Sequence, residues 1–411
     1  MIWKWIVLKS NDFSTSTDSL PDSLAVGDFN RDQRQDIVVI NSYEQYMQLF
    51  LGSGDGNFDF AMKRWATNTS ALSSVAVADF DNDGRSDIVL TSFSDRVIII
   101  LLQYTHEAFS VERIYTMERP SLPAFVATAY LNNDQNVDIV VTYFTSDNIG
   151  IYYGFGHGTL APVIKYSTGG DSYPSYLVLY DFNDDSRLDI AVVNSGANNI
   201  GIFLADENKL FPDPLMLSTG ENSHPNSVAL GDLNNDGYLD IVVANTDANT
   251  IRIMFRQRYE LPTNSIELAT GIDSQPCSIA INDFNSDNRL DIVVLQCGTS
   301  HVKLFLGHGD GSFLKQFNQS TGLYSYPSSL AIGDFNNDHH LDLAVTNAGT
   351  SNVAIFLGHN NGTFSDSDIY MLGFESNPVS VTIGDFNNDN LTDMVVANFG
   401  NNKVEILLKT C

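Results

Sequence analysis

The stretch Asp28-Phe29-Asn30-Arg31-Asp32-Gln33-Arg34-Gln35-Asp36, with Ile37-Val38-Val39 directly behind it, decides the fold. It recurs seven more times, at Asp79, Tyr130, Asp181, Asp232, Asp283, Asp334 and Asp385, each start 51 residues after the one before. Eight such periods account for nearly all of the 411 residues. A fixed period of this length marks a repeat architecture, in which each unit buries its apolar face on the next.

One period, residues 21–72, reads as four short strands. Ser23 to Gly27 is strand A, and the acidic stretch is the A–B loop. Asp36 to Ile40 is strand B, whose unbroken apolar run argues for burial on both faces. Asn41 to Gln45 is a polar turn, Tyr46 to Leu51 is strand C, Gly52 to Gly56 is a Gly/Asp-rich turn and Asn57 to Ala66 is strand D. Helical periodicity is absent. Four antiparallel strands in every period describe one blade, so the expected fold is all-β, an eight-bladed β-propeller spanning 1–411 as one domain. Val404 to Leu408 falls at strand C of the last blade. Its missing strand D is expected from about residues 5 to 15, which would cover an otherwise open edge.

The loop carries oxygen-bearing side chains at positions 1, 3, 5 and 9. Position 1 is Asp28, Asp79, Asp181, Asp232, Asp283, Asp334 and Asp385, with Tyr130 the exception. Position 3 is Asn30, Asp81, Asn132, Asn183, Asn234, Asn285, Asn336 and Asn387. Position 5 is Asp32, Asp83, Asp134, Asp185, Asp236, Asp287, Asp338 and Asp389. Position 9 is Asp36, Asp87, Asp138, Asp189, Asp240, Asp291, Asp342 and Asp393. A convergent all-oxygen set suits a hard cation, and calcium accepts six to eight oxygens in flexible geometry. The third site, left with Asn132, Asp134 and Asp138, is expected to be weak or empty. The bland alternative is an Asp/Asn-rich turn that caps its own backbone. An EF-hand is excluded, because position 12 is Val39 or its equivalent where that loop needs Glu.

Asp79-Phe80-Asp81-Asn82-Asp83-Gly84-Arg85-Ser86-Asp87, together with Leu51-Gly52-Ser53-Gly54-Asp55-Gly56-Asn57-Phe58, resembles the FG-GAP/VCBS repeats of integrin α-chain heads and related extracellular propellers. The resemblance covers the whole chain. It implies calcium ligation by side chains at 1, 3, 5 and 9 and by the backbone carbonyl at position 7. That position is Arg34, Arg85, Asn136, Arg187, Tyr238, Arg289, His340 or Leu391, a variety expected if only the carbonyl matters. Two departures stand out. Integrin heads have seven blades, whereas eight periods are counted here. Position 6, often Gly in the family, is Gly only at Gly84 and Gly237. The other residues there would strain a left-handed turn.

The chain holds 21 basic and 50 acidic residues, a net charge of -29. The ligand positions account for 24 of those acids, so the acidity is largely that of the loops. Such a balance disfavours a nucleic-acid partner, which needs a basic face. No apolar run approaches the length of a membrane span, and Met1 to Val7 makes a poor signal peptide. Cys277 and Cys297 fall at the start of strand A and the end of strand B of one blade, and if Asp283 opposes Asp291 they face each other. A disulfide is expected there, with Cys411 unpaired. Sequons at Asn68, Asn318, Asn361 and Asn390 fit an extracellular or cell-surface chain.

Strand order places the A–B and C–D loops at one end of a blade and the B–C and D–A loops at the other. The second end is the expected recognition end, because its residues differ between blades while the frame does not. Candidate ligand-binding residues are Tyr173, Tyr176, His224, Tyr324 and Tyr326 near the D–A prolines, and Asn194, Asn245, Asn347 and Asn398 at the B–C turns. The alternative is that the Asn residues cap strands and the tyrosines pack. The expected function is calcium-stabilised, adhesion-type binding of a protein or glycan by a monomeric module, alone or within a larger protein. A lectin with repeated sugar sites is the second reading, and a polysaccharide-acting enzyme the third. The histidines form no catalytic constellation; His308 and His359 lie one period apart in C–D turns.

Overall fold

A computed structural model describes residues 7–15, 19–43, 46–65, 72–105, 108–208, 210–257 and 260–409, and every helix-or-strand element among them is a strand. Cys411 and the Asn68 sequon lie outside the described residues. The strands form eight four-stranded antiparallel sheets, the blades of a β-propeller. Blade one comprises strand A Pro21–Gly27, B Asp36–Asn41, C Tyr46–Gly52 and D Phe58–Trp65, within two residues of the expected bounds. Blade eight takes A, B and C from Pro378–Gly384, Asp393–Asn398 and Lys403–Lys409. Its strand D is Val7–Ser14, with Asn11 opposite Ile406 and Ser14 opposite Lys403, as the phase of the repeat required.

By compactness the chain divides into two units. One holds Met1–Asp22, Ser53–Asn57 and Asn226–Cys411; the other holds Ser23–Gly52 and Phe58–Pro225. Each has its own apolar clusters between consecutive blades. In the second unit Val38, Ile40, Met47 and Leu49 of blade one pack on Ile88, Leu90, Ile99 and Leu101 of blade two. In the first, Val293, Leu295, Val302 and Leu304 pack on Leu343, Val345, Ala354 and Phe356. Strand B is buried at all six positions in every blade, which explains its continuous apolar run.

The A–B register corrects one expectation. Asp291 pairs with Asn282, not Asp283. A bulge follows the proline that opens strand A: Pro276 pairs with Gln296 and Ser278 with Leu295, leaving Cys277 as the extra residue. The same shift occurs in blades two, three, four, seven and eight. Cys277 is nevertheless bonded to Cys297, with Cα atoms 5.9 Å apart.

The glycine-rich C–D turns are hairpin chemistry that also clasps the neighbouring blade. Gly158 has φ +75° and donates its N–H to the Phe80 carbonyl of the preceding blade at 2.9 Å. A Cβ there would lie 2.2 Å from Leu102, so only glycine fits.

Candidate functional site

Each acidic loop is folded by its own carboxylates and amides. In all eight, the position 3 oxygen accepts the N–H of position 5 and the position 5 carboxylate accepts that of position 7, at 2.8–3.2 Å. In seven, position 1 accepts two more N–H groups, as Asp28 does from Asp32 at 3.2 Å and Gln33 at 2.9 Å. These bonds curl the loop through positive φ at positions 4 and 6 in every copy, among them Arg31, Gln33, Asn133, Gln135, Asn337 and His339. The left-handed residue at position 6 is therefore real, and six copies hold it without glycine.

Position 9 has a second task. Its carboxylate is fully buried at the start of strand B and joins two chain segments. Oδ2 of Asp36 accepts the Phe29 N–H at 2.7 Å, and Oδ1 accepts the Gly52 N–H of strand C at 2.8 Å. Every blade repeats this pair, for example Asp138 with Leu131 and Gly154, and Asp342 with Phe335 and Gly358. Burial raises these carboxyls well above the usual range, against the lowering effect of the two N–H donors. Asp87 and Asp342 are pushed up to about 7. Asp36, Asp138, Asp189, Asp240, Asp291 and Asp393 are pushed up to about 6. Neighbouring loop carboxylates add to the rise.

In blade two, where position 3 is Asp, oxygens of Asp79, Asp81 and Asp87 all lie within 4.8 Å of one another. The donors are all hard oxygens, which fits calcium in kind. In blade three Tyr130 is half exposed and supplies no carboxylate, while Asn132, Asp134 and Asp138 keep their bonds. Sequence reasoning missed a role for the position 7 side chain. Arg85 pairs with Asp83 at 2.9 Å, Arg34 with Asp32 at 3.6 Å and Arg289 with Asp287 at 3.7 Å; Arg187 and Asp185 pair likewise. Tyr238 instead lies under the Arg256 guanidinium, 4.8 Å from ring centroid to Cζ. The signal was an arginine in four of eight copies.

The opposite end of each blade corrects half of the predicted ligand set. Asn194, Asn245, Asn347 and Asn398 do not begin the B–C turns; they end strand B and are fully buried. Their amides bond across to strand C: Asn194 to Asn199 and Asn347 to Asn352 at 2.8 Å, Asn398 to Glu405 at 3.2 Å, Asn245 to Thr250 at 3.3 Å. Tyr176 packs its ring on Phe125, centroids 4.4 Å apart, and is largely buried. Tyr173, His224, Tyr324 and Tyr326 are exposed as expected.

What holds those four out is a repeated hydrogen-bond cassette. The Thr that opens each of four D–A loops donates its N–H to a B–C turn carbonyl: Thr168 to Asp147, Thr219 to Asn198, Thr270 to Asn249 and Thr321 to Ser300, at 2.9–3.0 Å. Its hydroxyl bonds the Ser four residues on, as in Thr168–Ser172 and Thr321–Ser325 at 2.6 Å. The residue before each proline then sits at positive φ, between 45° and 46° at Tyr173, His224, Gln275 and Tyr326. Such a conformation is disfavoured before proline and persists only where the surroundings fix it.

Four-stranded blades with an acidic A–B hairpin in each define a β-propeller of repeated blades. The FG-GAP-like repeat matches residues 9–90, 131–192, 181–243, 283–345 and 334–396, and the chain belongs to that family. It is 19% identical over 402 residues to the T-cell immunomodulatory protein of Mus musculus, covering 85% of this chain and 63% of that one. The Homo sapiens protein of the same name is 27% identical over 213 residues, covering 49% of this chain and 34% of that one. The chain thus spans less than two thirds of the length of these relatives. A streptogramin B lyase superposes with TM-score 0.54 at 15% identity, each chain 98% covered. A lectin from Agrocybe aegerita that recognises non-reducing terminal N-acetylglucosamine superposes with TM-score 0.51 at 16% identity, covering 95% of this chain and 100% of that one. At such identities the likeness concerns the fold alone.

Proposed function

We propose that this chain is an extracellular, calcium-stabilised β-propeller that binds a protein partner through its B–C and D–A loops and catalyses no reaction. The observation that carries the reading is the contrast between a fixed loop frame and variable exposed side chains. The Thr–Ser cassette repeats, while the exposed residue before proline changes from Tyr173 to His224 to Gln275 to Tyr326. A rigid frame with changing tips is how a scaffold presents a binding surface. The Cys277–Cys297 bond fits an oxidising compartment. The name of the two relatives is consistent with a protein-binding role outside the cell. Calcium here would be structural. Position 1, 3, 5 and 9 oxygens would hold it, and it would neutralise carboxylates gathered in one hairpin.

The test is an array of purified ectodomains and an array of glycans, both probed with the chain in calcium. Binding to an ectodomain that Tyr173→Ser with His224→Ser, or serine substitution of the blade six to eight D–A loops, abolishes is the expected result. New carboxylates at the C–D turns, with His308→Glu and His359→Glu, should leave it intact. Binding lost by the C–D variants instead would move recognition to the metal-loop end. Binding confined to glycans would favour the lectin.

A further inference from the structure

Four of the D–A loops share the pattern Thr-Gly-X-X-Ser, and the residue at the first X is the tip of a tight turn. In the loops at 168–172 and 219–223 the tip is Gly170 or Glu221. In the loops at 270–274 and 321–325 it is Ile272 and Leu323, and in the related loop at 372–376 it is Phe374. These three apolar tips are 89%, 79% and 87% exposed. They stand one period apart on successive blades of one compact unit. Single exposed apolar residues are ordinary; three at the same rigid position are not. The turn beneath them is closed by Thr270–Ser274 and Thr321–Ser325 hydroxyl pairs at 2.6 Å and by the Ser325 N–H donating to Gly322.

Two hollows adjoin Leu323 and Phe374. One of about 340 Å³ is lined by Leu323, Tyr324, Tyr326, Ser300 and His301. The other, of about 870 Å³, is lined by Phe374, Met371, Gly349, Glu375 and Asn377. Tyr326 links them: it lines the first, and its ring lies over Gly349 of the second, where an added Cβ would be 2.4 Å away. Tyr324 and Tyr326 are 68% and 59% exposed, so two aromatic rings stand beside the Leu323 tip. The exposed charges that flank the tips in sequence are acidic. Asp273 follows Ile272 and Glu375 follows Phe374, both exposed. Of the nearby lysines, Lys303 is buried beneath the first loop, donating to the carbonyls of Ala269 and Thr270, and Lys403, at the start of strand C of blade eight, is paired with Asp12.

We propose that Ile272, Leu323 and Phe374 anchor a docking surface for a protein partner whose contact segment carries large apolar side chains beside Lys or Arg. The inference rests on the D–A loops being the recognition end and names the chemistry of what they receive. Three apolar tips, two of them with hollows and one with aromatic rings beside it, supply the anchor sites. The flanking carboxylates select cationic neighbours and repel acidic ones.

The experiment uses the full chain and short fluorescein-labelled peptides. One intersperses Leu and Phe with Lys; in the second each Lys is Glu; in the third each Leu and Phe is Ser. The first should bind, and the other two should bind at least about tenfold more weakly. The triple variant Ile272→Ser, Leu323→Ser, Phe374→Ser keeps the net charge and should fold normally, since the replaced side chains are exposed. It should lose about tenfold or more in affinity for the first peptide. Equal binding by wild type and triple variant would overturn the proposal, because attraction to an acidic chain alone survives that change. So would equal binding of the Lys and Glu peptides, or none of the Lys peptide. If Tyr173→Ser with His224→Ser abolishes binding and the triple variant does not, this patch falls while the loop-end reading stands. If neither variant alters it, both fall. A glycan bound through the three tips would overturn the choice of a protein partner.

Discussion

The loops of blades two and three lie in the same compact unit and share a backbone, yet differ at two of the candidate ligand positions, position 3 being Asp81 in one and Asn132 in the other, and position 1 differing more sharply. Both curl through positive φ at positions 4 and 6: Asn82 and Gly84 in one, Asn133 and Gln135 in the other. Both use position 9 alike, Asp87 accepting from Phe80 and Gln103, Asp138 from Leu131 and Gly154. Blade two has Asp79 at position 1, and blade three has Tyr130. The hairpin therefore keeps its form without the position 1 carboxylate. Positions 3, 5 and 9 build the turn. Position 1 is dispensable to that geometry, although its acid accepts two backbone N–H groups in seven copies, and the metal proposal gives that acid a second role as ligand. Two roles overlap in one loop, and the comparison separates them.

The largest expected effect is the loss of calcium. At a hundredfold excess over its dissociation constant, each ion would stabilise the folded chain by about 2.7 kcal/mol, and seven ordinary loops would share that effect. Melting temperature should drop markedly in excess chelator, and calorimetric titration should count seven sites. Tyr130→Asp should make the count eight. Indistinguishable melts with and without calcium would break the metal reading. Eight sites in the unaltered chain would show that position 1 is not required.

Proton linkage should sharpen the same division. In the metal-free chain burial holds the position 9 carboxyls at about 6 to 7, whereas an unfolded Asp titrates near 3.9. Between about pH 4 and 7 the folded chain then binds more protons than the unfolded chain, so stability falls as pH rises through that window. Calcium opposes this by neutralising the same carboxylates, so the fall should shrink when calcium is present. A metal-free stability that climbs from about pH 5 to 7 would contradict the assigned burial cost.

Most of the fold was legible because a constant spacing carries its own alignment. Eight buried Asp-led strands could be placed from position 9 alone, and the phase of the ends assigned Val7–Ser14 to the last blade. The A–B register was misjudged by one residue at the loop, where Asn282 opposes Asp291, and the bulge at Cys277, which nothing in Pro276-Cys277-Ser278 announces, shifts it once more. The end-of-strand asparagines were misplaced for a related reason. Asn347 is a turn-forming type, but its burial follows from cross-strand pairing with Asn352, which periodicity does not reveal. Arg85 and Asp83 sit two apart, and only the curled loop brings them into contact. The apolar tips were readable as residues, yet their exposure depends on a turn closed by hydroxyl pairs that sequence spacing leaves open.

The smallest effects test the comparison most directly. Asp138→Ala strips the acceptor from two buried N–H groups, those of Leu131 and Gly154. An unsatisfied buried donor costs about 1–3 kcal/mol, so a loss of about 4 kcal/mol is expected from urea melts, the same in calcium and in chelator. Asp79→Asn keeps one oxygen, which can still receive the Asp83 N–H, and gives up the bond to Gly84 at an exposed turn where water can replace it. In chelator it should therefore cost about 1 kcal/mol or less. In calcium it should also remove one ion from the titration count, because the carboxylate that blade three never had is then missing from blade two as well. If Asp79→Asn in chelator proved as damaging as Asp138→Ala, position 1 would belong to the turn's own scaffold, and its presence in seven copies would no longer point to a cation.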